Sequence, residues 1–313
     1  MFFNKYIKGF KINESKCTKV KTCFKRFGRG NMSRLGAYVR LMRPLNAVMM
    51  GFAVIVGAFL SNRTEVLTFP RELLLGFITG LTLTGASMAI NDYYDREIDA
   101  INEPSRPIPS GAVKPKNALA FASLLTLIGV AAAFLTNLSC GLTATVAWII
   151  MATYVTVGKR TGLPGNFMVS ACVAVPFIYG SLAVTGKVTS NVILFAAMAF
   201  LSNTGREVNK GIADVAGDKA RGVQTLAVRF GSKPAAALAA FFYSSAVLLS
   251  VIPVAWRIVS VWFIPFVAVT NFGLAFSSIS LLKNPSRENA RKIKNAVLIF
   301  FLFGLLGFVA GTF

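Results

Sequence analysis

Apolar stretches of roughly twenty residues, the length that crosses a bilayer as a helix, recur nine times along this chain. They fall near 45–60, 72–91, 117–136, 139–157, 164–184, 190–208, 234–253, 259–281 and 295–312. Few folds outside a membrane can use so many. The balance of residues agrees: of 313 residues 55% are hydrophobic and 14% charged, against about a quarter charged in a soluble domain. The expectation is an all-α membrane protein with nine transmembrane helices. Residues 32–313 read as a single transmembrane domain, and residues 1–31 as a basic N-terminal extension, either disordered or lying at the membrane interface.

Charge placement orients the spans. Of the 33 Lys and Arg residues, 29 precede the first span or follow spans two, four, six and eight, and 4 lie on the other side. The positive-inside rule then puts the N-terminus and the even-numbered loops in the cytoplasm, with the protein integral to the cell membrane. The net charge of +21 therefore sits along one membrane rim, beside anionic membrane lipid, and does not call for a nucleic acid partner.

Acidic residues are scarce and clustered. Eight of the twelve fall in two short segments, NDYYDREIDAINE (91–103) and GREVNKGIADVAGDKARG (205–222), both on the expected cytoplasmic side. Asn91, Asp95 and Asp99 are spaced by four and share one face of a helix, as do Asp214 and Asp218. Carboxylates stacked this way repel one another unless a cation neutralises them. An all-oxygen set favours Mg²⁺, which commonly bridges a few protein carboxylates to substrate phosphates. The ligand expected is a diphosphate. Cations for its other side are near, namely Arg43, Arg106, Lys159 with Arg160, Arg206 and Lys210, and the amide of Asn46 follows Arg43 in RPLN. Glu97 and Glu103 read as surface charges or partners for Arg.

The chain contains no histidine. That removes Ser–His and Cys–His catalysis and the usual general base. Cys140 and Cys172 lie in apolar runs, Cys17 and Cys23 in the basic extension; neither pair suggests a zinc site or a disulfide framework.

The motif NDxxDxxxD after the second span, followed by RPIPSG (106–111), resembles the UbiA-type intramembrane prenyltransferases. So does DxxxD at 214–218, ahead of TLAVRFG (225–231), and the likeness runs from about Arg40 to the end. The resemblance implies helices around a central cavity open to the cytoplasmic side, and Mg²⁺-dependent transfer of a prenyl group from an isoprenyl diphosphate to a lipid-like acceptor. By it Asn91, Asp95, Asp99, Asp214 and Asp218 hold the metal, and those four aspartates are the catalytic residues. From their place beside the acids, Arg43, Asn46, Arg106, Lys159 and Lys210 are expected to take the diphosphate, and Asp92, at the family's second motif position but off the stripe, to orient. Tyr154 with Lys159 loosely matches a family element at the end of span four.

GREVNKGIADVAGDK looks most like members that join geranylgeranyl to geranylgeranylglyceryl phosphate, forming an ether of archaeal membrane lipid. NDYYDREIDAINEPSRPIPSG also looks close to members that esterify a chlorophyllide, while others alkylate an aromatic quinone precursor. A cation-coupled transporter is the alternative of another class. Its sites, however, tend to lie at the bilayer midplane rather than at the ends of spans.

Overall fold

The computed structural model describes residues 33–220 and 222–313; the extension expected over 1–31 lies outside the described residues. Those described form helices and turns without a strand: α1 (Arg34–Met42), α2 (Pro44–Ser61), α3 (Pro70–Asn102), α4 (Pro115–Thr136), α5 (Leu138–Thr156), α6 (Leu163–Thr185), α7 (Ser190–Ala220), α8 (Leu226–Phe230), α9 (Ser232–Leu249), α10 (Val251–Ala255), α11 (Phe263–Lys283) and α12 (Arg287–Ala310).

Local chemistry sets where the helices start. Pro44, Pro70 and Pro115 open α2, α3 and α4, where a missing N–H costs nothing and a fixed φ already suits the helix. Asn137 separates α4 from α5; its side chain accepts from the Cys140 amide at 2.8 Å and donates to the Leu182 carbonyl at 3.1 Å. One residue thus caps a helix and ties it to α6.

The helices pack in sequence order from α2 to α7, and α9, α11 and α12 continue the wall until α12 returns to α2 and α7. The seam between α2 and α6 is drawn tight by glycine. A Cβ on Gly180 would stand 2.0 Å from the Val54 carbonyl oxygen, and one on Gly57 2.2 Å from that of Phe177. Lipid offers apolar side chains nearly what a neighbouring helix does, so close backbone approach of this kind is what holds membrane helices together. Large apolar residues such as Leu127, Phe241, Phe272 and Ile299 stay exposed on the outer faces, where hydrocarbon covers them. The chain is an integral membrane protein.

The expected count of about nine is not matched in full: among the described residues eight helices are long and apolar enough to cross a membrane. The stretch expected at 190–208 is present as α7, which is 31 residues long, but it is not one of the eight. Its apolar run ends at Leu201, and Asn203, Thr204, Arg206, Glu207, Asn209 and Lys210 follow. The polar half of α7 faces protein rather than lipid: Asn203, Thr204, Glu207 and Asn209 are all buried.

Candidate functional site

A cavity of about 260 Å³ opens where the C-terminal ends of α3, α5 and α7 meet the N-terminal ends of α2, α6 and α12. Its wall is polar. From α3 come Asn91, Asp95 and Asp99; from α7 come Glu207, Lys210, Asp214 and Asp218. These residues reach the cavity because α3 and α7 continue as helices through their acidic segments, keeping the i, i+4 residues on one face.

The turn after α3 supplies Arg106. Ser110 and Val113 donate backbone N–H groups to the carbonyls of Arg106 and Pro107 at 3.0 and 2.9 Å, and Gly111 takes the left-handed φ of 78° that reverses the chain. Ile108 and Val113 anchor the turn by packing with Ala37, Leu41 and Ala118. Arg106 Nη1 then lies 2.5 Å from Asp99 Oδ2 and 3.3 Å from Asp92 Oδ1. Arg43 approaches Asp92 from the α1–α2 junction, with Nη2 donating to Oδ1 at 2.6 Å. Its backbone stands at φ 51°, a conformation uncommon for a side chain of this size. Asp92 is 2% exposed and stands between the two guanidinium groups, off the cavity wall.

Lys159 is carried on a single 3-10 turn, Gly158–Arg160. This turn sits directly on α6: a Cβ on Gly165 would stand 2.2 Å from the Gly158 carbonyl oxygen. Lys159 Nζ donates to Asp95 Oδ2 at 2.6 Å, and Asn91 Nδ2 donates to the same oxygen at 3.1 Å. Glu207 accepts from Arg206 at 3.2 Å and from Lys210 at 3.1 Å.

Burial and pairing compete in this wall. Burial pulls the Lys159 ammonium below its ordinary pKa against the opposing pull of Asp95. Burial raises the Asp99 carboxyl more than Arg106 beside it lowers it. Burial acts to lower Arg106 too, but Asp92 and Asp99 outweigh it and the guanidinium is held above its usual range.

A second, apolar cavity of about 110 Å³ lies further into the bundle, walled by α2, α6, α7, α9, α11 and α12. Met50, Phe177, Met198, Leu274, Phe301 and Leu305 are among its lining residues. The helices α2, α6, α7 and α12 border both cavities, the polar one at one end and the apolar one along their length.

The sequence matches the model of the UbiA prenyltransferase family over residues 50–311. The chain belongs to the UbiA prenyltransferase family. A Korarchaeum cryptofilum protein named digeranylgeranylglyceryl phosphate synthase is 37% identical over 283 residues, covering 90% of this chain and 99% of the relative. A solved structure of a digeranylgeranylglyceryl phosphate synthase superposes with TM-score 0.70 at 30% identity, over 89% of this chain and 98% of the other. A UbiA homologue from Archaeoglobus fulgidus bound to GPP and Mg²⁺ shares the fold with TM-score 0.57 at 17% identity, over 87% and 99% of the two chains.

Within this UbiA fold the structure brings Asn91, Asp95, Asp99, Asp214, Asp218, Arg43, Arg106, Lys159 and Lys210 to one cavity. It does not bring Asn46, Arg160 or Arg206, none of which lines it. Asn46 lies on the first turn of α2, where no contact among the described residues aims it at the wall as Asp92 aims Arg43. Arg206 is instead held by Glu207. The acids share the cavity without closing on one point: among the described residues no three of them form a ready-made metal cage. Lys159 and Arg106 draw Asp95 and Asp99 toward themselves. Glu103, read as a surface charge or partner for Arg, lines the wall and pairs with Arg291 at 3.6 Å. Sequence reasoning missed Asn166, Arg287, Arg291 and Lys294 as wall residues. The last three had a signal in RENARKIK, cations at i, i+4 and i+7.

Proposed function

We propose that this UbiA prenyltransferase moves a geranylgeranyl group from its diphosphate to the hydroxyl of geranylgeranylglyceryl phosphate, forming an ether bond of an archaeal-type membrane lipid. The observation carrying this reading is the pair of cavities. A polar chamber of carboxylates and cations and an apolar one are lined by the same helices, which suits a substrate with a charged head and a long hydrocarbon tail. The likeness of both relatives named digeranylgeranylglyceryl phosphate synthase, over nearly their whole lengths, supports the choice of acceptor.

Asn91, Asp95, Asp99, Asp214 and Asp218 would hold Mg²⁺. Their oxygen donors fit a hard cation that takes few protein carboxylates and completes its shell with phosphate oxygens and water. When bound, Mg²⁺ neutralises charge on the diphosphate. The protein's own contribution comes from Arg43, Arg106, Lys159 and Lys210, whose positive charges face the oxygen that accumulates charge as the allylic C–O bond breaks. Both electrons of that bond leave with the diphosphate. The acceptor hydroxyl oxygen donates a lone pair to the prenyl C1, and its proton goes to the departing diphosphate or to one of the motif aspartates. The apolar cavity keeps water from the electron-deficient carbon before the acceptor reaches it.

The same reading sets the protein in the cell membrane with its polar cavity and N-terminus cytoplasmic, supported by the side that carries most of the Lys and Arg. The test is transfer by purified protein with Mg²⁺ and labelled geranylgeranyl diphosphate, offered geranylgeranylglyceryl phosphate, a chlorophyllide or 4-hydroxybenzoate. The expected result is an ether product with the first, lost on chelation and reduced at least about a thousandfold in Asp95→Ala and Asp218→Ala. Transfer to another acceptor alone overturns the acceptor; transfer unaffected by both substitutions overturns the site.

A further inference from the structure

The polar cavity has two cationic walls, and they are built differently. On the α3 side each base is matched by an acid at close range: Arg43 with Asp92 at 2.6 Å, Arg106 with Asp99 at 2.5 Å, Lys159 with Asp95 at 2.6 Å. On the α12 side Arg287, Arg291 and Lys294 follow at i, i+4 and i+7 and line the cavity from one face of one helix. Their pairing is loose. Arg287 Nε donates to the Ala213 carbonyl at 3.1 Å, Arg291 stands 3.6 Å from Glu103, and Lys294 makes no ion pair among the described residues. Lys294 lines the cavity together with Asp214, Glu207 and Lys210, and Glu207 is already engaged by Lys210 at 3.1 Å and by Arg206 at 3.2 Å. Gathering like charges at a cavity wall is unfavourable unless an anion joins them. The exposed face of the same helix shows the ordinary arrangement, Glu288 paired with Lys292 at 2.7 Å.

We infer that Arg287, Arg291 and Lys294 form a second anion subsite that takes the phosphate monoester of the acceptor lipid, apart from the carboxylate-matched wall that faces the donor's diphosphate. This deepens the acceptor assignment and rests on it. The logic is one of charge and position. A diphosphate between the acidic segments of α3 and α7 has its cations in Arg43, Arg106, Lys159 and Lys210. The acceptor brings another dianion into the same chamber, and it needs its own. α12 also runs from this stripe down to Phe301 and Leu305 in the apolar cavity, so one helix can meet both the phosphate and the hydrocarbon of one lipid. The subsite thereby selects acceptors carrying a phosphate over neutral lipid alcohols with the same chain.

The test measures KM for geranylgeranylglyceryl phosphate, for its phosphate-free alcohol and for geranylgeranyl diphosphate. It compares wild type, Arg291→Gln, Lys294→Gln, the charge-keeping Lys294→Arg, and the outer-face control Lys292→Gln, with each variant checked for a monodisperse, wild-type melting profile. Loss of a charged contact to phosphate raises KM for the phosphorylated acceptor by about tenfold or more in Arg291→Gln and Lys294→Gln. The donor KM is expected to stay within about twofold, preference for the phosphorylated acceptor over the alcohol to fall, and Lys294→Arg to restore it. Lys292→Gln changes none of these. A donor KM that rises as much as the acceptor KM assigns the stripe to the diphosphate and overturns the inference, as does an unchanged preference in a folded Lys294→Gln. Wild-type protein that alkylates no glyceryl phosphate overturns the acceptor reading as well. Active wild type with unaffected variants overturns the subsite alone.

Discussion

Asp92 is the most enclosed charge at the site, 2% exposed between Arg43 and Arg106. Removing one partner from a buried ion pair leaves the others unmatched, a loss of about 3–5 kcal/mol where burial is complete. Here the guanidinium groups keep 32% and 29% of their side-chain surface, and the expected cost for Asp92→Asn is about 1–2 kcal/mol. The larger effect is on position. Arg43 holds an uncommon left-handed backbone, and Asp92 tethers its guanidinium. Asp92→Asn is therefore expected to lower the melting temperature by a few degrees and to raise the donor KM by about tenfold, read by thermal shift and steady-state kinetics. A variant with a normal donor KM would assign Asp92 to stability alone. At this scale the sequence was partly legible. Four-residue spacing exposed the stripes Asn91–Asp95–Asp99 and Asp214–Asp218, because a helix converts spacing directly into a face. The links Arg43–Asp92 and Lys159–Asp95 join residues 49 and 64 positions apart. Spacing along one helix carries nothing about them, and for the same reason Asn46 could not be told from Arg43.

At the scale of elements, hydropathy located the helices closely because lipid demands a nearly uniform apolar length. It counted nine spans since α7 begins like the others. What it could not show was that the polar half of α7 turns inward, toward the cavity and the α9 and α12 side chains. The basic stripe on α12 was likewise read as membrane-rim charge, which its composition alone allows. Packing between elements was still less visible. Gly57 and Gly180 look like any glycine of an apolar run, yet they set the spacing of α2 and α6. With 2.0 Å between a new Cβ and the Val54 carbonyl oxygen, Gly180→Val forces the two backbones apart. Overpacking of this kind costs about 1–3 kcal/mol, and the seam borders the apolar cavity through Phe177. Gly180→Val is expected to lower the melting temperature in detergent and to reduce activity on long prenyl donors, measured on protein purified in parallel with wild type. Wild-type melting would mean that α6 shifts without cost.

For the whole molecule, one axis organises both charge and chemistry. The polar cavity, the acid segments and, among the described residues, most Lys and Arg gather at one end of the bundle. At the other, Arg63 Nε donates to the Thr312 carbonyl at 2.8 Å and Nη2 to that of Phe313 at 3.3 Å, so the chain's last residues are pinned beside the α2–α3 connection. If positive charge sets orientation, Glu97 lies inside the cell and Phe313 outside. Both are exposed, with the Glu97 side chain 84% accessible and Phe313 71%, and each accepts a cysteine without disturbing a buried contact. In a background with Cys17 and Cys23 replaced by serine, Phe313→Cys is expected to react with a membrane-impermeant maleimide on intact cells. Glu97→Cys is expected to react only after permeabilisation. The reverse pattern would turn the bundle over, leaving the chemistry of the cavity intact but moving the diphosphate's point of entry to the outer surface, away from the cytoplasmic pool of soluble precursors. Equal labelling of both on intact cells would mean mixed insertion, and the 29-to-4 division of Lys and Arg would then owe its asymmetry to binding polyanionic substrates rather than to topology.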